Sequence, residues 1–166
     1  MSTRDEHQPH YEPGCMACDV LKGLTPTPGG VIHEDDFWML DHSTSPVLLP
    51  GFLISKPKRH VEHIGDLTAE ELESLARILG IAYRAMSRAL EAEKVYTCSF
   101  GEGVKHVHLY LVPRTKDMPP DGFEVIRAMF DDGRWLASDD DGMQAAKAVR
   151  ESIRTELSER SHDSAD

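Results

Sequence analysis

Two histidines and a tyrosine alternate with apolar residues in one short segment, His106-Val107-His108-Leu109-Tyr110. Successive side chains of a β-strand face opposite sides of a sheet, so on a strand His106, His108 and Tyr110 share one face. A neutral imidazole can act as a nucleophile or a proton acceptor, and a phenol can donate a hydrogen bond. We interpret the segment as a candidate catalytic site held by a rigid element. The plainer alternative is a half-exposed strand whose polar residues face water.

A second group of reactive side chains lies near the N-terminus. Cys15 and Cys18 are separated by two residues, a spacing that lets both thiolates bind one metal ion. A pair of reduced, unliganded cysteines is the alternative interpretation. A redox pair is less favoured, because no thioredoxin-like βαβ pattern surrounds these residues. Cys98 stands alone in a predicted strand, which indicates an ordinary core position.

Five strands and one long helix are predicted around these residues. A capping box, Thr68 with Glu71 three residues later, precedes apolar residues at helical spacing and predicts a helix over 69–91. A glycine turn, Gly101-Glu102-Gly103, joins the last two predicted strands. The predicted strand regions are a hairpin at 31–41, then 52–55, 95–100 and 104–112. This order predicts an α+β fold with a mainly antiparallel five-stranded sheet, and the long helix would cover the face carrying Val107 and Leu109.

The chain divides into three predicted regions: a flexible leader at 1–13, a catalytic domain at 14–118 and an acidic, partly helical C-terminal extension at 119–166. Within the extension we expect a surface loop at 131–141, a helix at 143–157 and disorder at 158–166. The basic run Lys56, Lys58 and Arg59 is interpreted as a solvated strand end, although it could attract phosphate. Phe37 and Trp38 could line a base pocket, with one of the two in the core.

Composition excludes several classes of protein. A formal net charge of −11 disfavours binding to duplex nucleic acid, where lysine and arginine neutralise phosphates. No apolar run approaches the roughly 20 residues of a membrane-spanning helix, and the polar N-terminus lacks the apolar core of a signal peptide. Three cysteines do not make a secreted disulfide framework. We therefore expect a cytoplasmic protein.

Three segments together resemble the histidine-triad (HIT) superfamily. The run from Val104 through His106 and His108 to Pro113-Arg114 is similar to the HIT motif, in which three histidines alternate with apolar residues, except that Tyr110 takes the third position. Pro57-Lys58-Arg59-His60-Val61 is similar to the middle segment of the family, and the stretch from Val31 to Asp36 resembles its first hairpin. The segments occur in the order and spacing of the family.

The resemblance implies a nucleotide substrate and a mechanism. His108 matches the family nucleophile, which attacks the α-phosphate of a dinucleoside polyphosphate, nucleoside phosphoramidate or similar nucleotide and forms a nucleotidyl-histidine. A backbone carbonyl near His108 is expected to bind its second ring nitrogen and fix the tautomer. His106 and Tyr110 complete the catalytic group. The substrate-binding positions implied by the family are Asp41 or Ser43 for the ribose, and Glu102, Gly103 and Lys105 near the phosphate.

The resemblance also implies a metal site and an assembly. His60 and His106 match positions that, with Cys15 and Cys18, bind structural Zn²⁺ in some members, while His63 is a rival ligand to His60. Members of the family usually pair through their sheets and long helices, which implies a homodimer. The alternatives are a nucleotide-binding or interaction module that has lost catalysis through Tyr110 and Glu102, and a small interaction protein stabilised by zinc.

Overall fold

The computed structural model describes residues 11–163, so most of the predicted leader and the last three residues lie outside the described part of the chain. Four α-helices and five strands follow one another in this range, with a single 3₁₀ turn at Ile64–Asp66. In chain order they are α1 (Met16–Leu21), β1 (Val31–Glu34), β2 (Trp38–His42), β3 (Leu53–Pro57), α2 (Ala69–Ala89), β4 (Lys94–Cys98), β5 (Leu109–Arg114), α3 (Gly122–Asp131) and α4 (Asp139–Asp163).

The five strands form one antiparallel sheet in the order β1-β2-β3-β5-β4, which confirms the predicted α+β fold. The turn of the first hairpin is closed by Asp35, whose carboxylate accepts hydrogen bonds from the backbone N–H groups of Phe37 and Trp38, each at 2.9 Å. The capping box at the start of α2 is also present: Thr68 Oγ1 accepts from the Glu71 N–H, and the Glu71 carboxylate accepts from the Thr68 N–H.

One face of the sheet is covered by α2 and α4, and this layer contains the larger core. Val107, Leu109 and Leu111 lie in it, as predicted from strand alternation. Helix α4 contributes Ala146, Val149 and Ile153 to the same cluster, which also holds Trp38. Between the two helices, the buried carboxylate of Glu156 on α4 accepts from Arg84 of α2 at 2.6 Å.

The opposite face of the sheet carries a smaller core under α3. Phe52 and Val112 of the sheet side pack there with Val125 and Met129 of α3. Phe52 and Tyr110 meet edge to face, with ring centroids 5.0 Å apart. The sheet thus has helices on both faces. Helix α3 covers only part of the second face, and the rest of that face is not covered by α2, α3 or α4.

Two predictions about elements are wrong, and two helices, α1 and α3, were not predicted. The last strand begins at Leu109 rather than at residue 104, because the residues before it bond to a different loop: the Val107 N–H donates to the Val61 carbonyl at 2.7 Å. Helix α4 begins at Asp139 and runs to Asp163, so residues 158–163 are helical where disorder was predicted. Helix α3 was not predicted at all, although Asp121 caps it by accepting from the Phe123 N–H at 2.8 Å. The domain boundary after residue 118 stays a prediction.

Candidate functional site

A cavity of about 310 Å³ opens on the side of the sheet that α2 and α4 leave free. We call it the histidine pocket. Its floor is the sheet and the approach to β5, which contribute Asp41, Ile54, Lys56, His108 and Tyr110. Met16, Ala17 and Val20 of α1 lie on one side, the loop from Ser43 to Leu48 on another, and Phe130 of α3 closes the far end. The floor is polar at one end and aromatic at the other, as in many small-molecule sites.

His108 is held in a defined tautomer inside this pocket. The side chain is only 6% exposed, and its Nδ1 lies 2.8 Å from the backbone carbonyl oxygen of His106. Because a carbonyl oxygen can only accept a hydrogen bond, Nδ1 carries the proton. The lone pair is then on Nε2, the nitrogen that is not bound to the backbone. The expected carbonyl contact is confirmed, and it leaves the Nε2 lone pair free of the backbone.

Tyr110 stands beside His108 as a neutral donor. The centroids of the two rings are 5.0 Å apart. Burial raises the pKa of the Tyr110 phenol above its ordinary value, and the nearby Cys98 and Glu102 raise it further. The phenol therefore keeps its proton at neutral pH and can donate one hydrogen bond into the pocket, but it cannot supply a positive charge.

A buried ion pair forms the polar end of the pocket. Lys56 Nζ donates to Asp41 Oδ1 at 2.6 Å, and both side chains are almost fully buried. Burial raises the pKa of Asp41, while the adjacent ammonium opposes that rise. Among the described residues, the second carboxylate oxygen, Asp41 Oδ2, is buried without a hydrogen-bond partner. The pair therefore offers a ligand an acceptor on Asp41 and further N–H groups on Lys56.

The interpretation of Lys56 as part of a solvated strand end is wrong. Lys56 faces the pocket because it lies two residues after Ile54 on β3, and alternate side chains of a strand share a face. Since Ser55 pairs with Leu109, Lys56 and His108 occupy the next positions on the two chains. Of the other two members of the basic run, Lys58 pairs with Glu34 at the surface and Arg59 pairs with the buried carboxylate of Glu71.

The predicted substrate-binding residues separate into two sets. Asp41 and Ser43 are both buried and both line the histidine pocket, as the shared strand face predicted. Glu102, Gly103 and Lys105 are exposed on the loop that leads to His106, outside the lining of the pocket. Val104 is the one member of that loop that reaches the lining.

A cluster of two cysteines and two histidines lies next to the pocket. The ligand atoms of Cys15, Cys18, His60 and His106 are all within 4.8 Å of one another. His106 Nδ1 is 3.4 Å from Cys18 Sγ and 3.7 Å from Cys15 Sγ, and His60 Nδ1 is 3.3 Å from Cys18 Sγ. Ligands of a tetrahedral zinc ion are separated by about 3.3–3.8 Å, given Zn–N and Zn–S bonds of roughly 2.0 and 2.3 Å. The four residues therefore fit one metal ion.

The chemistry of the donor set also suits a metal. Burial lowers the pKa of His106 to about 4, so its imidazole is neutral at physiological pH. Its Nε2 lies 3.0 Å from the Pro57 carbonyl oxygen, which leaves the proton on Nε2 and the lone pair on Nδ1, facing the thiols. Burial raises the pKa of the Cys18 thiol to about 11, so a buried thiolate here needs a compensating cation. His63 is exposed and outside the cluster, so the geometry selects His60 over His63.

Sequence reasoning missed the walls of the pocket. Helix α1 joins the cysteine pair to the pocket, because Cys18 lies in the cluster while Ala17 and Val20 line the cavity. Phe130 comes from a helix that was not predicted. An available signal was the spacing of Val125, Ala128 and Met129 after Asp121, which is that of a capped amphipathic helix.

Comparisons by sequence gave no match: no family model and no curated protein matches the chain. Solved structures do match. A zinc-bound histidine triad family protein from Mycobacterium smegmatis has 21% identity and a TM-score of 0.64, covering 92% of this chain and 98% of that one. A hypothetical histidine triad nucleotide-binding protein from Sulfolobus tokodaii has 20% identity and a TM-score of 0.67, covering 85% and 93%.

A third likeness is to a diadenosine triphosphate hydrolase from Plasmodium falciparum, solved in complex with cyclomarin A. It has 17% identity and a TM-score of 0.56, with 75% of this chain and 76% of that chain covered. The similarity of all three extends over most of each chain but stays below 25% identity, a level that establishes architecture rather than activity. Together with the five-stranded sheet, these likenesses show that the chain has the histidine-triad fold.

Proposed function

We propose that this protein is a nucleotide hydrolase or nucleotidyltransferase that cleaves at the α-phosphate of its substrate through a nucleotidyl-histidine intermediate. The observation that carries the proposal is His108, whose Nδ1–H is bound to the His106 carbonyl while its ring lines the histidine pocket. The named activity of the Plasmodium falciparum relative and the nucleotide-binding description of the Sulfolobus tokodaii relative support the same class of substrate.

In the first step, the Nε2 lone pair of His108 attacks phosphorus. A P–N bond to the imidazole forms, and the bond from phosphorus to the leaving group breaks. The leaving group departs with the electron pair and is protonated, and the neutral phenol of Tyr110, whose ring lies 5.0 Å from that of His108, would donate toward it. Lys56 supplies the nearby positive charge that Tyr110 lacks, and so would stabilise charge on the phosphate oxygens.

In the second step, water or another acceptor attacks the phosphorus of the intermediate. The new P–O bond forms, the proton of the attacking water passes to solvent, and the P–N bond to His108 breaks with its electron pair returning to Nε2. The imidazole keeps its starting tautomer because Nδ1–H stays bonded to the His106 carbonyl. Asp41 or Ser43, both in the lining of the pocket, would bind the ribose hydroxyls. Glu102, Gly103 and Lys105 stay proposed contacts of the phosphate chain, on the exposed loop that precedes His106.

Zinc is the proposed metal of the Cys15, Cys18, His60 and His106 cluster. A zinc ion would supply the positive charge that two buried thiolates require, and would fix His106 and α1 beside the pocket. Reduced cysteines fit the predicted cytoplasmic location. No described helix is both long and apolar enough to cross a bilayer. A homodimer and the lack of duplex nucleic acid binding stay predictions.

The test is turnover of a nucleotide panel by purified, zinc-loaded protein, with release of mononucleotide followed by chromatography. The panel contains adenine and guanine nucleotides, dinucleoside polyphosphates and nucleoside phosphoramidates. We expect turnover that is lost in His108→Ala and kept in His63→Ala, the control, since His63 is exposed and outside the pocket lining. A denaturing quench at alkaline pH, which preserves the acid-labile P–N bond, followed by mass spectrometry should find the nucleotidyl group on His108.

Two results would replace the proposal. Nucleotide affinity without turnover, in protein shown to be folded and metal-loaded, would favour a binding module that has lost catalysis through Tyr110 and Glu102. Absence of any nucleotide affinity would favour a zinc-stabilised interaction protein. Affinity is measured by isothermal titration calorimetry with the same panel, so that one protein preparation separates the three outcomes.

A further inference from the structure

A second and larger cavity adjoins the histidine pocket. Its volume is about 620 Å³, and it lies between β5 and α3. Tyr110 and Phe130 line both cavities, so the two share one wall. We call the second one the aromatic cavity. Its lining consists of Phe100, Tyr110, Asp121, Phe123, Glu124, Ile126, Arg127, Phe130 and Asp131.

Only the side chain of Tyr110 lies between His108, the proposed nucleophile, and the aromatic cavity. The His108 and Tyr110 ring centroids are 5.0 Å apart, and the Tyr110 ring lies 5.9 Å from both Phe100 and Phe130. A phosphorus atom bonded to His108 Nε2 would therefore lie close to the junction of the two cavities. A group attached to that phosphorus can extend past Tyr110 into the aromatic cavity.

Helix α3 presents a second apolar face besides the one buried against the sheet. Val125, Ala128 and Met129 are buried against the sheet. Phe123 and Phe130, seven residues apart, lie on a different face that borders the aromatic cavity. Phe123 is 89% exposed and Phe130 is 45% exposed. Two aromatic residues two helical turns apart, facing one cavity, are typical of a binding surface.

The charge of the aromatic cavity indicates what kind of group it binds. Its lining includes three carboxylates, Asp121, Glu124 and Asp131, against one guanidinium, Arg127. Arg134 lies 3.7 Å from Glu124 across an exposed surface, where such a pair contributes little. Glu102 is close enough to Tyr110 for its negative charge to raise the pKa of the phenol, so it adds to the negative charge near this cavity. A polyphosphate chain is disfavoured in these surroundings, whereas a cation beside aromatic rings is favoured.

We propose that the aromatic cavity is the subsite for the leaving group, and that the preferred leaving group has an aromatic or aliphatic body and a cationic end. This inference rests on the proposed function, because it needs His108 as the nucleophile. In the reaction the P–N or P–O bond to that group breaks as the bond to His108 Nε2 forms. The group leaves as a protonated amine or an alcohol, and no redox step is involved. The C-terminal extension then takes part in substrate selection through α3.

The experiment compares three adenosine 5′-phosphoramidates as substrates of the full chain loaded with zinc. The first carries 4-(aminomethyl)benzylamine, a benzylic amine leaving group whose second amino group is a free ammonium. The second carries 4-(aminomethyl)benzoic acid, which has the same ring and a carboxylate. The third carries an unsubstituted amino group. We expect the highest kcat/KM for the ammonium compound and the lowest for the carboxylate compound.

Two variants locate that selectivity. Phe123→Ser should reduce kcat/KM for the ammonium compound by roughly three- to tenfold, the range expected for one aromatic contact, with less than about twofold change for the unsubstituted compound. Glu124→Lys should reverse or abolish the preference for ammonium over carboxylate. Leu157→Ser is the control, because Leu157 is exposed on α4, the helix on the opposite face of the sheet.

Two other outcomes would contradict the inference, and they can be distinguished from each other. Equal kcat/KM for the three compounds, or equal losses for all three in Phe123→Ser, would overturn the leaving-group subsite while leaving the His108 mechanism in place. Absence of turnover of all three compounds by the wild-type protein, together with no adduct on His108, would overturn the proposed function and this inference with it. Circular dichroism and zinc content are measured on every variant to confirm its fold.

Discussion

Replacing Lys56 by methionine removes the ammonium from the buried pair at the polar end of the histidine pocket. In the wild-type protein Lys56 Nζ lies 2.6 Å from Asp41 Oδ1, with 3% and 2% of the two side chains exposed. The second oxygen of Asp41 has no partner among the described residues. Methionine fills a similar volume but leaves a buried carboxyl group without a cation. We expect the free energy of unfolding to fall by about 3–5 kcal/mol, the usual result of breaking one side of a buried pair.

The loss should depend on pH with a definite sign. Burial already raises the pKa of Asp41 in the wild-type protein, and Lys56 is the group that opposes the rise. Without Lys56 the folded-state pKa of Asp41 rises further, whereas the unfolded value stays near 3.9. The folded protein then binds more protons than the unfolded chain above pH 4. The stability of Lys56→Met therefore falls as pH rises toward the folded-state pKa, more steeply than that of the wild type.

The assay is urea unfolding followed by circular dichroism at pH 6 and pH 8, with zinc held in excess so that the metal contribution cancels between variants. Lys58→Met is the matched control, because Lys58 pairs with Glu34 at 2.8 Å but on the surface, where we expect a change below about 1 kcal/mol. A Lys56→Met, Asp41→Leu double variant should recover most of the loss, since apolar replacement of a whole buried pair is often neutral. A loss below 1 kcal/mol in Lys56→Met, or no recovery in the double variant, would refute this reasoning.

Three further predictions concern the metal, the C-terminal helix and the tyrosine. Cys18→Ser should abolish zinc binding and lower Tm; metal analysis showing full zinc content would contradict it. Ile153→Ala, at a side chain 1% exposed, should lower the free energy of unfolding by about 2–5 kcal/mol, against less than about 1 kcal/mol for Leu157→Ala at 38% exposure. Tyr110→Phe keeps the ring contact with Phe52 but removes the phenol donor. It should slow turnover of poor leaving groups more than good ones, and a uniform effect across leaving groups would count against donation by the phenol.

Local patterns in the sequence predicted most of the fold. The capping box of Thr68 and Glu71 places the start of α2, and strand alternation assigns Leu109 and Leu111 to the helical face and Tyr110 to the open face. These features depend on residues close together in sequence, so local patterns are enough to predict them. The selection of His60 over His63 cannot be predicted in this way. It follows from a loop that brings His60 to within 3.3 Å of Cys18, which is 42 residues away in sequence.

The errors have long-range causes. The chain before Leu109 leaves the sheet because Val107 bonds to Val61, a contact between residues far apart in sequence. Lys56 looked like an exposed strand end because it precedes Pro57, and only the position of Asp41 on the adjacent strand shows that its charge has a buried partner. Helix α4 continues past residue 157. Near the end of the predicted helix, the Glu156 carboxylate pairs with Arg84 on the neighbouring helix α2, a residue far away in sequence.

The segment from His106 to His108 connects the cluster of two cysteines and two histidines to the histidine pocket. Its three consecutive side chains have three different surroundings. His106 lies in the cysteine–histidine cluster, Val107 packs in the core under α2, and His108 lines the pocket. The His106 ring is fixed through the thiols on one nitrogen and the Pro57 carbonyl on the other, and its own carbonyl oxygen fixes the tautomer of His108. Any change that releases the His106 ring therefore also moves the acceptor that orients the His108 ring. Loss of zinc should lower kcat as well as stability, even though the proposed metal takes no part in the chemical steps.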